Sequence, residues 1–258
     1  MKIVRRRAKE LLKGTRHKAL GIQLFITTTQ LLVIGAEYAF FLRLPNVVTI
    51  LLIFTLDLLL ISPLKAGRNL YYYSLVTQNT DNFRLFFHFF GDQYQKSIAW
   101  RLRLWTLRLL LNVILCVPCS YLLYLSQRTE RYGNNTISLI ALAFFVVLMV
   151  FAFLITELLL LRYLPAGYLL TKVNTAKEAF RMAKQISKGN LQTILYIYLS
   201  FVGWCFLFPF ILPFFYVEPL FQIECALLMA DLISKNSKLF YPQHLKRHGN
   251  HGKIMNDF

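Results

Sequence analysis

Arg101, Arg108, Asn112 and Cys119 follow one another at intervals of seven, four and seven residues within a largely apolar stretch. That spacing puts all four on one face of a helix, which should point into protein. An arginine in such a setting can bind an anion or close an ion pair. Left alone in hydrocarbon it costs at least about 2.5 kcal/mol, so it has to find a partner or water. The acidic candidates are Asp57, Glu157 and Glu224, with Asp231 seven residues beyond Glu224 on the same helical face. Asp57, Arg108 and Glu224 stand roughly ten residues from the same end of their apolar runs, a common depth of roughly 15 Å at 1.5 Å per residue. The expected pair is Arg108 with Asp57 or Glu224. In a purely structural reading that pair registers helices and takes no substrate. In a functional reading Arg108, Asn112, Asp57, Glu224 and Glu157 line a polar cavity open to the cytoplasm, where the arginine binds a lipid headgroup or another anion.

A second signal is Cys116-Val-Pro-Cys119. Such a pair exchanges electrons when one thiol is activated by a helix amino terminus or a cation. Here the pair falls near the carboxyl end of its helix, where the dipole disfavours thiolate. Two small apolar residues in a span are the favoured account, and a membrane thiol or quinone oxidoreductase is the alternative. His244, His248 and His251 lie in a basic tail with no carboxylate or cysteine to complete a ligand set, so no metal is expected. HExxH, Walker and GxSxG motifs are absent from the sequence, and no catalytic residue or cofactor is expected.

The elements that position these residues are apolar. Of 258 residues 57% are hydrophobic and only 16% charged, far from the quarter usual in soluble domains. The expected fold is an all-helical polytopic membrane protein. Its spans run over about 19–41, 47–64, 99–124, 136–161, 191–215 and 216–233, in a single membrane domain, 1–233, with a basic tail, 234–258. The first two spans form a hairpin through Pro45 and Asn46. Ser62 to Gly67 should break the helix as it leaves the bilayer, and Arg68 to Tyr73 should resume along the interface with three tyrosines at headgroup level. Phe83 to Phe90, too short to span, reads as an interfacial elbow. Pro209, Pro213 and Pro219 cluster at the far end of the fifth span and the turn after it.

Met1 to Lys18 carries eight Lys and Arg residues and reads as a topogenic basic tail, with an amphipathic surface helix as the other possibility. Of the 29 Lys and Arg residues, only Arg43, Arg128 and Arg131 fall in opposite loops, the last two beside Gly133 and Asn134, and Arg108 lies within a span. The asymmetry places both termini in the cytoplasm. The net charge of +17 thus reflects retained loops rather than nucleic-acid binding, since no basic folded module or base-stacking motif accompanies it. The expected partners are anionic membrane lipids at the basic face and a further membrane protein. Cys116, Cys119, Cys205 and Cys225 all lie in apolar segments, which excludes a secreted disulfide framework.

One stretch is legible in detail. Thr175 and Glu178 form a capping box. Ala176, Ala179, Phe180, Ala183 and Ile186 then recur on one side, and Lys177, Arg181, Lys184 and Lys188 on the other. Gly189 can end that helix in the left-handed conformation.

Arg7, Ala8, Leu12, Lys13 and Gly14 before the first span, Ser62, Pro63, Leu64 and Gly67 at the end of the second, Pro165, and Ala179 through Gly189 leading to Ser200–Trp204 carry a resemblance. On these motifs the chain resembles the bacterial integral membrane family designated DUF nine-seven-five. Such proteins commonly carry Pro-Gly late in the third span, where this chain has Pro118-Cys119. The resemblance implies six helices and a bacterial plasma membrane, and supplies no catalytic residue. The expected function is a non-enzymatic membrane component, either an accessory or scaffold subunit or a binder or translocator of lipid. A small-solute transporter is a further alternative.

Overall fold

The computed structural model describes residues 2–41, 46–131, 135–205 and 211–236, and among them every regular element is helical. Arg43, Pro45, Gly133, Asn134, Pro209, His244, His248 and His251 lie outside the described residues. Helix α1 spans Lys2–Phe41, α2 Asn46–Leu56, α3 Ser62–Gln78, α4 Tyr94–Arg131 and α5 Asn135–Leu160. The short α6, Ala166–Leu169, precedes α7 (Ala176–Ser187), α8 (Leu191–Cys205) and α9 (Ile211–Lys235). Two helical stretches, Val4–Ala36 and Leu139–Leu169, are long and apolar enough to cross a membrane. A third qualifies if α4, bent by 42° between Val117 and Cys119, counts as one span. Pro118, which has no N–H to give the helix, stands at that bend.

The basic amino-terminal segment is not a separate tail. It is the first half of α1, because no proline interrupts it and its Lys, Arg, Leu and Ala residues are good helix formers. Ala8, Leu12, Ala19, Ile22, Ile26 and Val33 form one buried stripe at intervals of three, four and seven, and α1 packs along α9.

The expected break at Ser62 to Gly67 is also corrected. A π-helical turn, Asp57–Ile61, joins α2 to α3, with the Ser62 N–H bonded to the Asp57 carbonyl. Pro63 at the start of α3 removes one amide donor and crowds the preceding turn, and the wider turn absorbs both effects. The helix then runs on through Gly67. There a Cβ would fall 1.8 Å from the Phe86 carbonyl oxygen, so only glycine lets α3 lie against the 3-10 helix Phe83–Phe90.

Tyr71 and Tyr72 are therefore in the protein core, at 0% exposure, rather than at headgroup level. The Tyr71 hydroxyl donates to Asp81 at 2.8 Å; burial and that bond raise its pKa well above the ordinary phenol value. Phe86 and Phe89 are buried beside them, while Phe83, Phe87 and Phe90 stay exposed, giving the elbow one apolar outer edge. The α7 region matches its sequence pattern: the five apolar residues are buried and the four cations exposed. Thr175 accepts from the Glu178 amide at 3.2 Å, and Gly189 has φ +85°. The last helix begins at Ile211, not at Tyr216, which puts Pro213 in its first turn where an amide donor is not needed.

Candidate functional site

Lys65, Arg68 and Asn69 share one face of α3 by their spacing of three and four residues. They look across at Trp100, Arg101, Trp105 and Arg108 of α4. Between these faces, and bounded further by α5, α8 and α9, lies a cavity of about 720 Å³. Its walls carry four cations and, on the opposite side, leucines of α5 and α8.

Three of the cations have acids of their own. Arg101 Nε donates to Asp57 at 3.1 Å, and the Trp105 indole N–H donates to the same oxygen at 3.1 Å. The π turn, which starts at Asp57, sets that carboxylate facing α4. Arg68 donates to Glu218 of α9 at 3.0 Å, and Gln222 donates to the same carboxylate at 2.9 Å. Arg108 lies 2.7 Å from Glu157. Lys65, one residue beyond the expected second span, makes no ion pair or hydrogen bond among the described residues. Burial first, then the neighbouring Arg101 and Arg68, push its ammonium down to about 7, against a smaller opposing pull from Asp57.

The expected pairing of Arg108 with Asp57 or Glu224 is thus corrected to Glu157. Helices α4 and α5 form an antiparallel hairpin, and Arg108 and Glu157 sit at nearly equal chain distances from its turn. One turn deeper on the same face, Asn112 accepts from buried Thr156 at 3.0 Å. Glu224 is buried away from the cavity and pairs with Arg5 of α1 at 3.5 Å. Asp231 is exposed and bonds Lys235 on its own helix at 2.6 Å. The polar cluster expected as one group is therefore divided. Arg108 and Glu157 line the cavity, Asp57 and Asn112 stand behind its wall, and Glu224 and Asp231 belong elsewhere.

No family model, curated protein or solved structure matches the chain. What the site can do must be read from its own residues.

Cys119 is buried and its thiol donates to the Leu115 carbonyl at 3.4 Å, whereas Cys116 is partly exposed; both are free thiols. Among the described residues no three His, Cys, Asp or Glu side chains are grouped to hold a metal ion. A second hollow of about 920 Å³ lies between α4 and α7, bordered by Arg103, Lys177, Arg181 and Lys184.

Lys65, Arg68, Trp100 and Glu218 were not singled out from sequence. Lys65 falls in the expected helix break and Arg68 in the helix expected to resume after it, and only the continuity of α3 brings them onto one face. Glu218 did carry a signal, as an acid among the prolines near the start of the last helix.

Proposed function

We propose that this chain is a six-span protein of the bacterial plasma membrane, with both termini cytoplasmic, that binds a membrane amphiphile without converting it. The observation that carries the reading is the two-ended character of the cavity. One end presents Lys65, Arg68 and Arg101. At the other, Leu154, Leu158 and Leu199 line the cavity and are also 55%, 42% and 58% exposed on the outer surface. Among the described residues, helices α5 and α8 do not pack along one another, so that end opens sideways through apolar surface. A polar pocket with a lateral apolar exit fits a headgroup and its chain. Two further features support the threading. Two or three of the described helices are long and apolar enough to span, and the basic hollow beside α7 falls on the side expected to be cytoplasmic, where anionic headgroups attract it. Membership of the DUF nine-seven-five family belongs to the same proposal and rests on the motifs quoted above.

The test is fluorescence in the Trp204→Phe protein, whose remaining indoles, Trp100 and Trp105, both line the cavity. Phospholipid brominated along its chains should quench both, including Trp100 at 6% exposure. Quenching that spares Trp100 would contradict the reading.

A scaffold role is favoured by one observation: only 11% of the apolar window in Leu139–Leu169 is buried. Co-purification of a second chain at fixed stoichiometry, with no amphiphile bound, would support it instead.

A further inference from the structure

We propose that Lys65, Arg68 and Trp100 form a phosphate-binding subsite at the cationic end of the cavity. The proposal rests on the amphiphile-binding reading and names the group that the site recognises.

Three donors on that wall lack acceptors. The Lys65 ammonium has no bonded partner among the described residues. Arg68 spends its Nη1 on Glu218, and its Nε is buried without an acceptor. The Trp100 indole N–H is likewise buried and unmet. Each unmet buried donor costs free energy that a suitable acceptor would recover. Native structures hold few such groups, and two of them beside an unpaired ammonium on one cavity wall call for a common cause.

Among the described residues, the acids beside the cavity are all engaged. Asp57 is shared by Arg101 and Trp105, Glu218 by Arg68 and Gln222, and Glu157 is held by Arg108. The acceptor must come from outside and bring several anionic oxygens. Phosphate does so, with lone pairs enough for an ammonium, a guanidinium and an indole together. A zwitterionic headgroup would carry its own cation into a wall that already holds Lys65, Arg68, Arg101 and Arg108.

Gly167 shapes the subsite. A Cβ there would fall 2.5 Å from Asn69 Nδ2 and 3.0 Å from Trp100 Cζ2. Its absence lets the indole and the amide close over the α3 face that carries Lys65 and Arg68. From that end an acyl chain can pass Leu154, Leu158 and Leu199 into hydrocarbon.

Phosphate can arrive on a phospholipid or free. Delipidated protein is equilibrated with equal amounts of phosphatidylglycerol and diacylglycerol, which has the same chains and no phosphate, in mixed micelles, and retained lipid is weighed by native mass spectrometry. A parallel arm measures the melting temperature with inorganic phosphate alone. Lys65→Gln breaks no ion pair and Trp100→Phe keeps the ring, so both should fold, as size-exclusion profiles will show. The wild type should favour phosphatidylglycerol by about tenfold, the worth of one charge-assisted hydrogen bond, and Lys65→Gln should bring the ratio near parity. A Lys65-dependent rise in melting temperature with phosphate alone, without lipid preference, would keep the subsite and assign it to the free ion. Equal retention of the two lipids by wild type and Lys65→Gln, with no phosphate effect, would overturn the subsite and leave the cavity reading standing. No adduct of either lipid and no phosphate effect would overturn both.

Discussion

Arg108 and Glu157 face each other at 2.7 Å across the α4–α5 hairpin, 45% and 39% exposed. The pair fixes the register of the two helices and stands beside the lateral opening. Both groups fall within the proposed spans, where exposure is to lipid, so Arg108→Leu strands the Glu157 charge and should cost at least about 2.5 kcal/mol in thermal stability. Adding Glu157→Leu should cost less than the sum of the two single changes, since the second removes the charge that the first leaves alone. Thermal denaturation in one detergent measures the cycle.

The Asp57 carboxylate is more enclosed and serves two donors, Arg101 and Trp105. Asp57→Asn should therefore be a damaging change, destabilising by about 3 kcal/mol because it leaves a largely enclosed guanidinium without its acid. Arg101→Gln in the same chain should recover part of that loss. A melting temperature unchanged by Asp57→Asn would show that the pair contributes nothing.

Two glycines should respond differently to alanine. At Gly67 the new Cβ meets backbone, the Phe86 carbonyl at 1.8 Å, and neither element can shift cheaply. The expected result is loss of at least about 1–3 kcal/mol of stability, or no folded protein. At Gly167 the first atom met is the end of the Asn69 side chain. Gly167→Ala should fold and lose bound amphiphile, which gel filtration and lipid extraction together would show.

Lys65 supplies a pH dependence. Its folded pKa of about 7 lies below the 10.5 of the free side chain, so between those values the unfolded chain holds more protons. Stability must then rise with pH from about 7 to 10.5, and the penalty is present in full below 7. Burial sets this first; of the groups around the ammonium, Arg101, Arg68 and Arg108 add to it and Asp57 opposes it. Delipidated wild type should gain melting temperature between pH 7 and 10 relative to Lys65→Gln. A bound phosphate group, which favours the charged ammonium, should flatten that gain. Parallel pH profiles for the two delipidated proteins would contradict the burial of this charge.

Local chemistry was legible where a residue's own neighbours decide its conformation. Thr175, the alternating faces of α7 and Gly189 all behave as their sequence requires, because caps, amphipathic spacing and left-handed glycine are local effects. Tyr71 and Tyr72 could not be read that way. Amphipathic phenols suit a membrane interface and a protein core equally; the Tyr71 bond to Asp81 and the packing of α3 on the neighbouring 3-10 helix decided for the core. The partner of Arg108 was within reach of the sequence, since an antiparallel hairpin matches residues equidistant from its turn. Depth alone ranked Asp57 and Glu224 as equals, and depth does not say which helices are neighbours. The cavity itself needed α3 to continue through Pro63. The sequence marks the proline, but the π turn that keeps the helix running is a tertiary compromise.

The most direct measurement is native mass spectrometry of the wild-type protein taken from its own membrane in a mild detergent with no lipid added. The account predicts an adduct of phospholipid mass at one per chain, surviving mild activation. A bare polypeptide, with the fold intact by gel filtration, would contradict it.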